Sequence, residues 1–180
     1  MTARLYVDET KAKGYVIVAA VATEESVHTI RQQLRGLLLP GQVALHMKGE
    51  RDSRRHAIAD AIAGMASLGL TATVYDAGRV GSERDRRARC IEAIVHNALK
   101  DYDQARIVFD LDETLRQFDR QCLIDVTRAA DAGDRICYQH AHRRSEPLLA
   151  IPDALAWCWA KGGQWRRRVE PVVADVHRDV

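Results

Sequence analysis

Aromatic residues are scarce in this chain: they make up 6% of it, with two phenylalanines. A core built from it must rest on aliphatic side chains and alanine. The cysteines are only Cys90, Cys122, Cys137 and Cys158, with no CxxC pair and no zinc spacing. That pattern excludes a disulfide scaffold and points to reduced, mostly buried thiols in a cytosolic protein. No apolar run is long enough to cross a membrane. The first residues enter a strand pattern at once, without the basic and apolar regions of a signal peptide, so a cytoplasmic location is expected. Internal repeats, low-complexity tracts and linkers are also missing. A strong charge of one sign is lacking too. The formal net charge is +2, so composition alone does not announce a nucleic-acid partner.

What is present is a chain of 180 residues, 47% of them hydrophobic, enough for one proper core. The expected division is a domain over residues 1–163, with residues 164–180 as a basic tail or an extension of the same domain. Strands are expected at residues 5–9, 70–75, 106–110 and 135–139, with a returning hairpin strand at 15–22 and a short strand at 43–47 carrying His46. Helical spacing follows Ser26, follows Asp52 or Ser53, and runs over 84–99, 114–130 and 148–161. Gly162-Gly163 closes the last of these, and Pro152 falls in its first turn, where a missing N–H is tolerated. This order reads as α/β with a mixed sheet, because the opening hairpin is antiparallel.

Three carboxylates carry the chemistry. Asp8 follows Leu5-Tyr6-Val7 and Asp110 follows Ile107-Val108-Phe109, so both end strands. Asp153 is the one acid on an otherwise apolar helix, Leu148 to Trp157. Acids from two strand ends and one helix can meet at a point. Such a cluster repels itself and loses hydration unless a cation sits within it. Mg²⁺ or Mn²⁺ accepts hard oxygen ligands and binds phosphate at the same time. Alternation places Tyr6 and Asp8 on one face of the strand and Glu9 on the other, so Asp8 is the better ligand. Glu9 can bend over the strand end as an outer ligand or base.

Arginine far outnumbers lysine and clusters at 51/54/55, 84/86/87/89, 143/144 and 166–168. Arginine pairs bidentately with phosphate, although a solvated helix face gives the same pattern. Arg143 and Arg144 stand out because they directly precede the Asp153 helix. Together with His46 and Ser145 they are the candidate phosphate contacts, with His140 and His142 in the same loop. His46 between Leu45 and Met47 also fits a buried core residue. Trp157, Trp159 and Trp165 suit base stacking or, at helical spacing, the core.

Two resemblances follow from these residues. The run Tyr6-Val7-Asp8-Glu9, then Leu45-His46-Met47-Lys48, a strand-end Asp, and Ser145 followed by Leu149-Ala150-Ile151-Pro152-Asp153-Ala154-Leu155-Ala156 resembles the bacterial domain-of-unknown-function 3800 family. That family is similar to the ribonuclease H superfamily. The resemblance covers nearly the whole chain. It implies a five-stranded mixed sheet flanked by helices, with acids on the first strand, the fourth strand and the last helix holding divalent metal. Thr10-Lys11 stands where that family usually has Ser-Gly, and Pro152 replaces an apolar residue. The second resemblance is local. Ile107 to Leu115 is similar to the first motif of haloacid-dehalogenase-like phosphatases, which would make Asp110 a nucleophile and Asp112 a general acid or base. In that family the motif opens the domain and the core strands follow it, whereas here most strands precede it.

The expectation is a ribonuclease H-like α/β fold acting as a metal-dependent nuclease on DNA or RNA. Asp8, Asp110 and Asp153 would be the metal ligands, with Asp112 the alternative on the fourth strand. A non-catalytic ribonuclease H-like binding module is the competing expectation. No membrane partner is expected, and an oligomer is compatible with the sequence.

Overall fold

The computed structural model describes residues 2–180. A hairpin of β1 (Thr2–Thr10) and β2 (Val16–Ala22) opens the fold. Then come α1 (Val27–Gly36), α2 (Asp52–Gly64), β3 (Thr71–Asp76), α3 (Glu83–Asp101) and β4 (Gln104–Asp110). The chain continues through α4 (Arg116–Ala129), β5 (Ile136–Ala141), α5 (Ala150–Lys161), α6 (Gln164–Val169) and β6 (Val173–Arg178).

The strands form one mixed sheet in the order β5-β4-β1-β2-β3-β6. β1 and β2 lie at its centre, which is why β2 reads Val-Ile-Val-Ala-Ala-Val-Ala with almost no polar alternation. Helices cover both faces. On one, Tyr6, Val18 and Val108 pack with α1, α2 and α5. On the other, Leu5, Val7 and Ile107 pack with Ile91, Ile94 and Val95 of α3 and Leu123 of α4. Alternation along β1 thus feeds two cores from one strand.

The sheet has six strands and not five. The sixth comes from the segment expected to be a basic tail or an extension of the domain, and it is the extension. β6 pairs in parallel with β3, while Trp165, Val169 and Val172 enter the core. Two of the arginines there are bound to the body. The Arg166 guanidinium lies 4.0 Å from the Trp159 ring centroid, and Arg168 meets Asp60 at 2.5 Å. Residues 43–47 form no strand. They lead into a 3₁₀ turn at Met47–Gly49, because side chains satisfy this backbone where a ladder was expected. The Met47 N–H donates to Asp153 Oδ2 at 2.8 Å, and Arg55 Nε donates to the Met47 carbonyl at 2.8 Å. The four cysteines are free; Cys90 and Cys158 are buried, but Cys137 on the edge strand β5 is exposed. Among the described residues, no helix is long and apolar enough to cross a membrane.

One buried charge network holds the α3–α4 side. Arg87 is 1% exposed, although its cluster reads as a solvated helix face. Its guanidinium donates to both oxygens of Asp119, at 2.5 and 2.7 Å, and to the Tyr15 hydroxyl at 3.0 Å. It also meets Glu9 Oε2 at 2.9 Å, and His140 Nε2 lies 3.1 Å from Asp119 Oδ2. Burial pushes the Asp119 carboxyl upward, but its bonds to Arg87 and His140 outweigh that and hold it below the usual carboxylate value. The spacing carries this signal, since Arg87 falls three and four residues before Cys90 and Ile91 on the inner stripe of α3.

Asp119→Asn should therefore destabilise the protein at neutral pH by roughly 3 kcal/mol, the cost of breaking a buried pair. A carboxylate with a lowered folded-state pKa contributes fully above its unfolded value and loses that contribution as pH falls through the folded value. The penalty of the substitution should accordingly shrink on acidification. Denaturant unfolding at about pH 7 and about pH 2.5 checks this; an equal penalty at both would contradict the account.

Candidate functional site

β1 and β4 are parallel neighbours, with Val7 opposite Phe109. Their carboxyl ends therefore lie side by side, and Asp8 and Asp110 follow residues in matching register. Tyr6 and Val108 face the α5 side, so Asp8 and Asp110 do too. α5 packs across β1 and β2. Its first turn carries Asp153, where the helix dipole favours an acid. Three separate elements thus bring these acids to one end of the sheet.

The acids meet at a guanidinium. Arg143 Nη2 lies 2.9 Å from Asp8 Oδ2 and 2.5 Å from Asp110 Oδ2, while its Nε donates to the same Asp110 oxygen at 2.8 Å. Its Nη1 lies 3.1 Å from Asp153 Oδ1. The sequence called for a cation among the acids and left Arg143 outside them, on phosphate. Here the chain's own arginine stands at the centre.

The surrounding bonds fix the acids. The Glu9 N–H donates to Asp8 Oδ1 at 2.8 Å. Asp153 accepts the Met47 N–H on one oxygen and faces His46 Nδ1 at 3.0 Å on the other. His46 Nδ1 also contacts Arg143 Nη1. With its proton on Nε2, His46 accepts from the arginine; with it on Nδ1, it donates to Asp153. His46 is half-exposed and belongs to the site, not the core. The loop carrying Arg143 is closed by the Ser145 and Glu146 N–H groups on the His142 carbonyl, both at 2.9 Å, and Ser145 Oγ donates to the same oxygen. Ser145 therefore shapes the loop that presents Arg143.

Three buried or half-buried carboxylates face one guanidinium, so negative charge is in excess. Burial pushes the Asp8 carboxyl well above its usual value; Arg143 opposes that, and Asp153, Glu9 and Asp110 add to it. Burial also works against the Arg143 charge, but Asp8, Asp153 and Asp110 more than offset it and hold the guanidinium protonated.

The other named residues fall elsewhere. Glu9 points to the opposite face and pairs with Arg87, as strand alternation dictates. His140 also lies on that face, beside Asp119 and 5.5 Å from the Phe109 ring centroid, so it does not join a phosphate loop. Asp112 Oδ1 accepts from the Thr114 N–H at 2.9 Å and hydroxyl at 2.6 Å, closing the turn before α4. Its bonds are those of a turn that leads into a helix. Arg144 is exposed and lines a cleft of about 610 Å³ with Asp110, Arg143 and Ser145. A second cleft of about 580 Å³ is lined by Asp153, His46, Glu9, Lys11, Lys48 and Trp157.

In kind, the three carboxylates suit a hard divalent cation. In position, the guanidinium contends for the same oxygens. Among the described residues, no group of three or more His, Cys, Asp or Glu side chains is arranged to hold a metal as it stands. No family model matches the chain, and no curated protein matches it.

The cluster's own energetics can be measured without metal. Arg143→Met should destabilise the protein in EDTA by roughly 3 kcal/mol, since it leaves buried carboxylates uncompensated. Adding Asp8→Asn should restore part of that loss by removing one of the repelling charges. Urea unfolding of the two single mutants and the double mutant reads the coupling. Simply additive losses would mean that Arg143 does not neutralise Asp8.

Proposed function

We propose that this chain is a ribonuclease H-like hydrolase of nucleic-acid phosphodiester bonds that uses a divalent metal. The observation that carries the reading is the convergence of Asp8, Asp110 and Asp153 from two adjacent parallel strands and a late helix, with negative charge left over after Arg143 is counted. The mixed sheet flanked by helices supports the resemblance drawn from the sequence, with β6 as an addition to it.

Asp8, Asp110 and Asp153 would hold Mg²⁺ or Mn²⁺, which supplies an activated water and charge stabilisation for the leaving oxygen. The protein's residues do the rest. The Met47 N–H fixes the Asp153 carboxylate, and the Glu9 N–H fixes that of Asp8. The carboxylates that would hold the metal are those Arg143 now contacts, and its planar donor fork would suit a substrate phosphate. Arg144 and His46 flank that position, and Ser145 holds the loop.

One observation favours a second reading. Arg143 already touches all three acids, as it would in a non-catalytic module whose charge cluster is purely structural. The two readings separate on metal binding and on cleavage. Under the hydrolase reading, wild-type protein with Mn²⁺ should cut single- or double-stranded DNA or RNA, and Asp8→Asn should lower the rate by about a hundredfold or more, roughly 2.7 kcal/mol. In electron paramagnetic resonance titrations, Arg143→Gln should bind Mn²⁺ about tenfold more tightly than wild type, about 1.4 kcal/mol, because it removes the competing cation. Absence of both Mn²⁺ binding and cleavage would establish the structural module instead.

A further inference from the structure

The sheet has two margins, and they are built differently. β6 closes one of them, with Asp175 and Arg178 on the strand, Pro171 just ahead of it, and a shift of register against β3 between Ala72 and Thr73. Charges, proline and bulges are the devices that keep a sheet edge from pairing with further strands. β5 closes the other margin, running Ile-Cys-Tyr-Gln-His-Ala in unbroken register with β4. It carries no Lys, Arg, Asp, Glu or Pro.

The register fixes which backbone groups β5 leaves open. The Ala105 N–H donates to the Arg135 carbonyl at one end of the β4–β5 pair, and the Leu111 N–H donates to the Ala141 carbonyl at the other. Every second residue between them, Cys137 and Gln139, therefore turns its N–H and C=O towards β4. Tyr138 and His140 turn theirs away, and among the described residues no other strand pairs with β5. Two donors and two acceptors thus stand free on an edge where the Cys137 and Gln139 side chains are exposed.

A second copy of the chain fits this edge. Antiparallel pairing centred on Gln139 sets Tyr138 opposite the second copy's His140, and His140 opposite its Tyr138. All the open groups are then used, in two hydrogen-bonded pairs. Gln139 faces its own counterpart across the two-fold axis, and the small residues Cys137 and Ala141 face each other. Beyond the strand ends, the same register sets Asp134 of one copy towards Arg144 of the other. Both are exposed, and neither has an ion-pair partner among the described residues. No like charges meet along the paired strands. That self-complementarity, with opposite charges at both ends, selects a second copy over an unrelated strand.

We propose that β5 is a dimerisation edge, and that two copies pair antiparallel about Gln139 and join their six-stranded sheets into one. Asp8, Asp110 and Asp153 take no part, so the pairing stands whether or not the site is catalytic.

The test is sedimentation velocity over roughly 1 to 100 µM, the range of a modest interface, with a reductant present so that Cys137 cannot link copies. Wild-type protein should pass from the 20.2 kDa chain to a species of twice that mass. A single 20.2 kDa species throughout would overturn the proposal. Gln139→Lys and Gln139→Glu each set like charges opposite one another and should each weaken dimerisation by roughly three- to tenfold. An equimolar mixture of the two should regain association as a heterodimer, with each variant's melting temperature confirming that it folds. Unweakened single variants, or a mixture that regains nothing, would place the contact elsewhere and overturn the pairing. Cross-linking reads the register. Facing residues of a non-hydrogen-bonded pair have Cα atoms about 4.5 Å apart, within disulfide reach. Gln139→Cys in a Cys137→Ser background should therefore link into dimers under mild oxidation by copper phenanthroline. Tyr138→Cys in the same background should not, and equal linking by both would overturn the register.

Discussion

The Arg143 guanidinium is the interaction on which the site end of this molecule depends. Without it, Asp8, Asp110 and Asp153 would face one another in a half-buried space with no compensation. Such clusters are held either by a bound cation or by one the chain supplies. A supplied cation has the advantage that the protein can fold before any ligand arrives. It also sets a threshold, because an incoming ion must be attractive enough to displace a multiply bonded arginine. Burial, with Asp153, Glu9 and Asp110 adding to it, keeps the Asp8 carboxyl raised even beside that guanidinium.

The far side of the sheet repeats the arrangement with a different outcome. Asp8 and Glu9 are consecutive, and strand alternation sends them to opposite faces, each to its own arginine. Arg143 sits on a loop next to open clefts, whereas Arg87 is sealed between α3 and α4 with Asp119 and the Tyr15 hydroxyl. The Arg87 side chain is 2% exposed and that of Arg143 20%, so the second network is the more sealed of the two. One strand end thus serves two ion clusters, and the Glu9 N–H donates to Asp8 between them.

Much of this was legible in the sequence. Period-two and period-3.6 patterning placed the hairpin, the helices and the strand-end acids, because those features depend on local alternation. Asp153 was legible because an acid in an apolar helix conflicts with its surroundings. What was not legible was long-range. Nothing local says that Met47 would give its N–H to an aspartate more than a hundred residues later, so residues 43–47 read as a strand. His140 read as part of a loop because only its pairing with Phe109 in the β4–β5 register turns it to the opposite face. The Arg166–Arg168 run read as solvated because its partners, Trp159 and Asp60, lie on other helices.

The sixth strand has a consequence for how the chain is made. β6 pairs with β3 from Ala72 opposite Val173 to Asp76 opposite Arg178, and Val172 and Val169 plug the core just ahead of it. Every acid and arginine of the site is synthesised before these residues. Closing so long a loop is entropically slow compared with forming the hairpin or the helices. A growing chain therefore carries the full set of site residues on an unfinished sheet, with the β3 edge open to pairing with other strands. The arrival of β6 covers that edge, so the step that completes the scaffold also moves the sheet's margin from a strand with buried alternate residues to a mostly polar one.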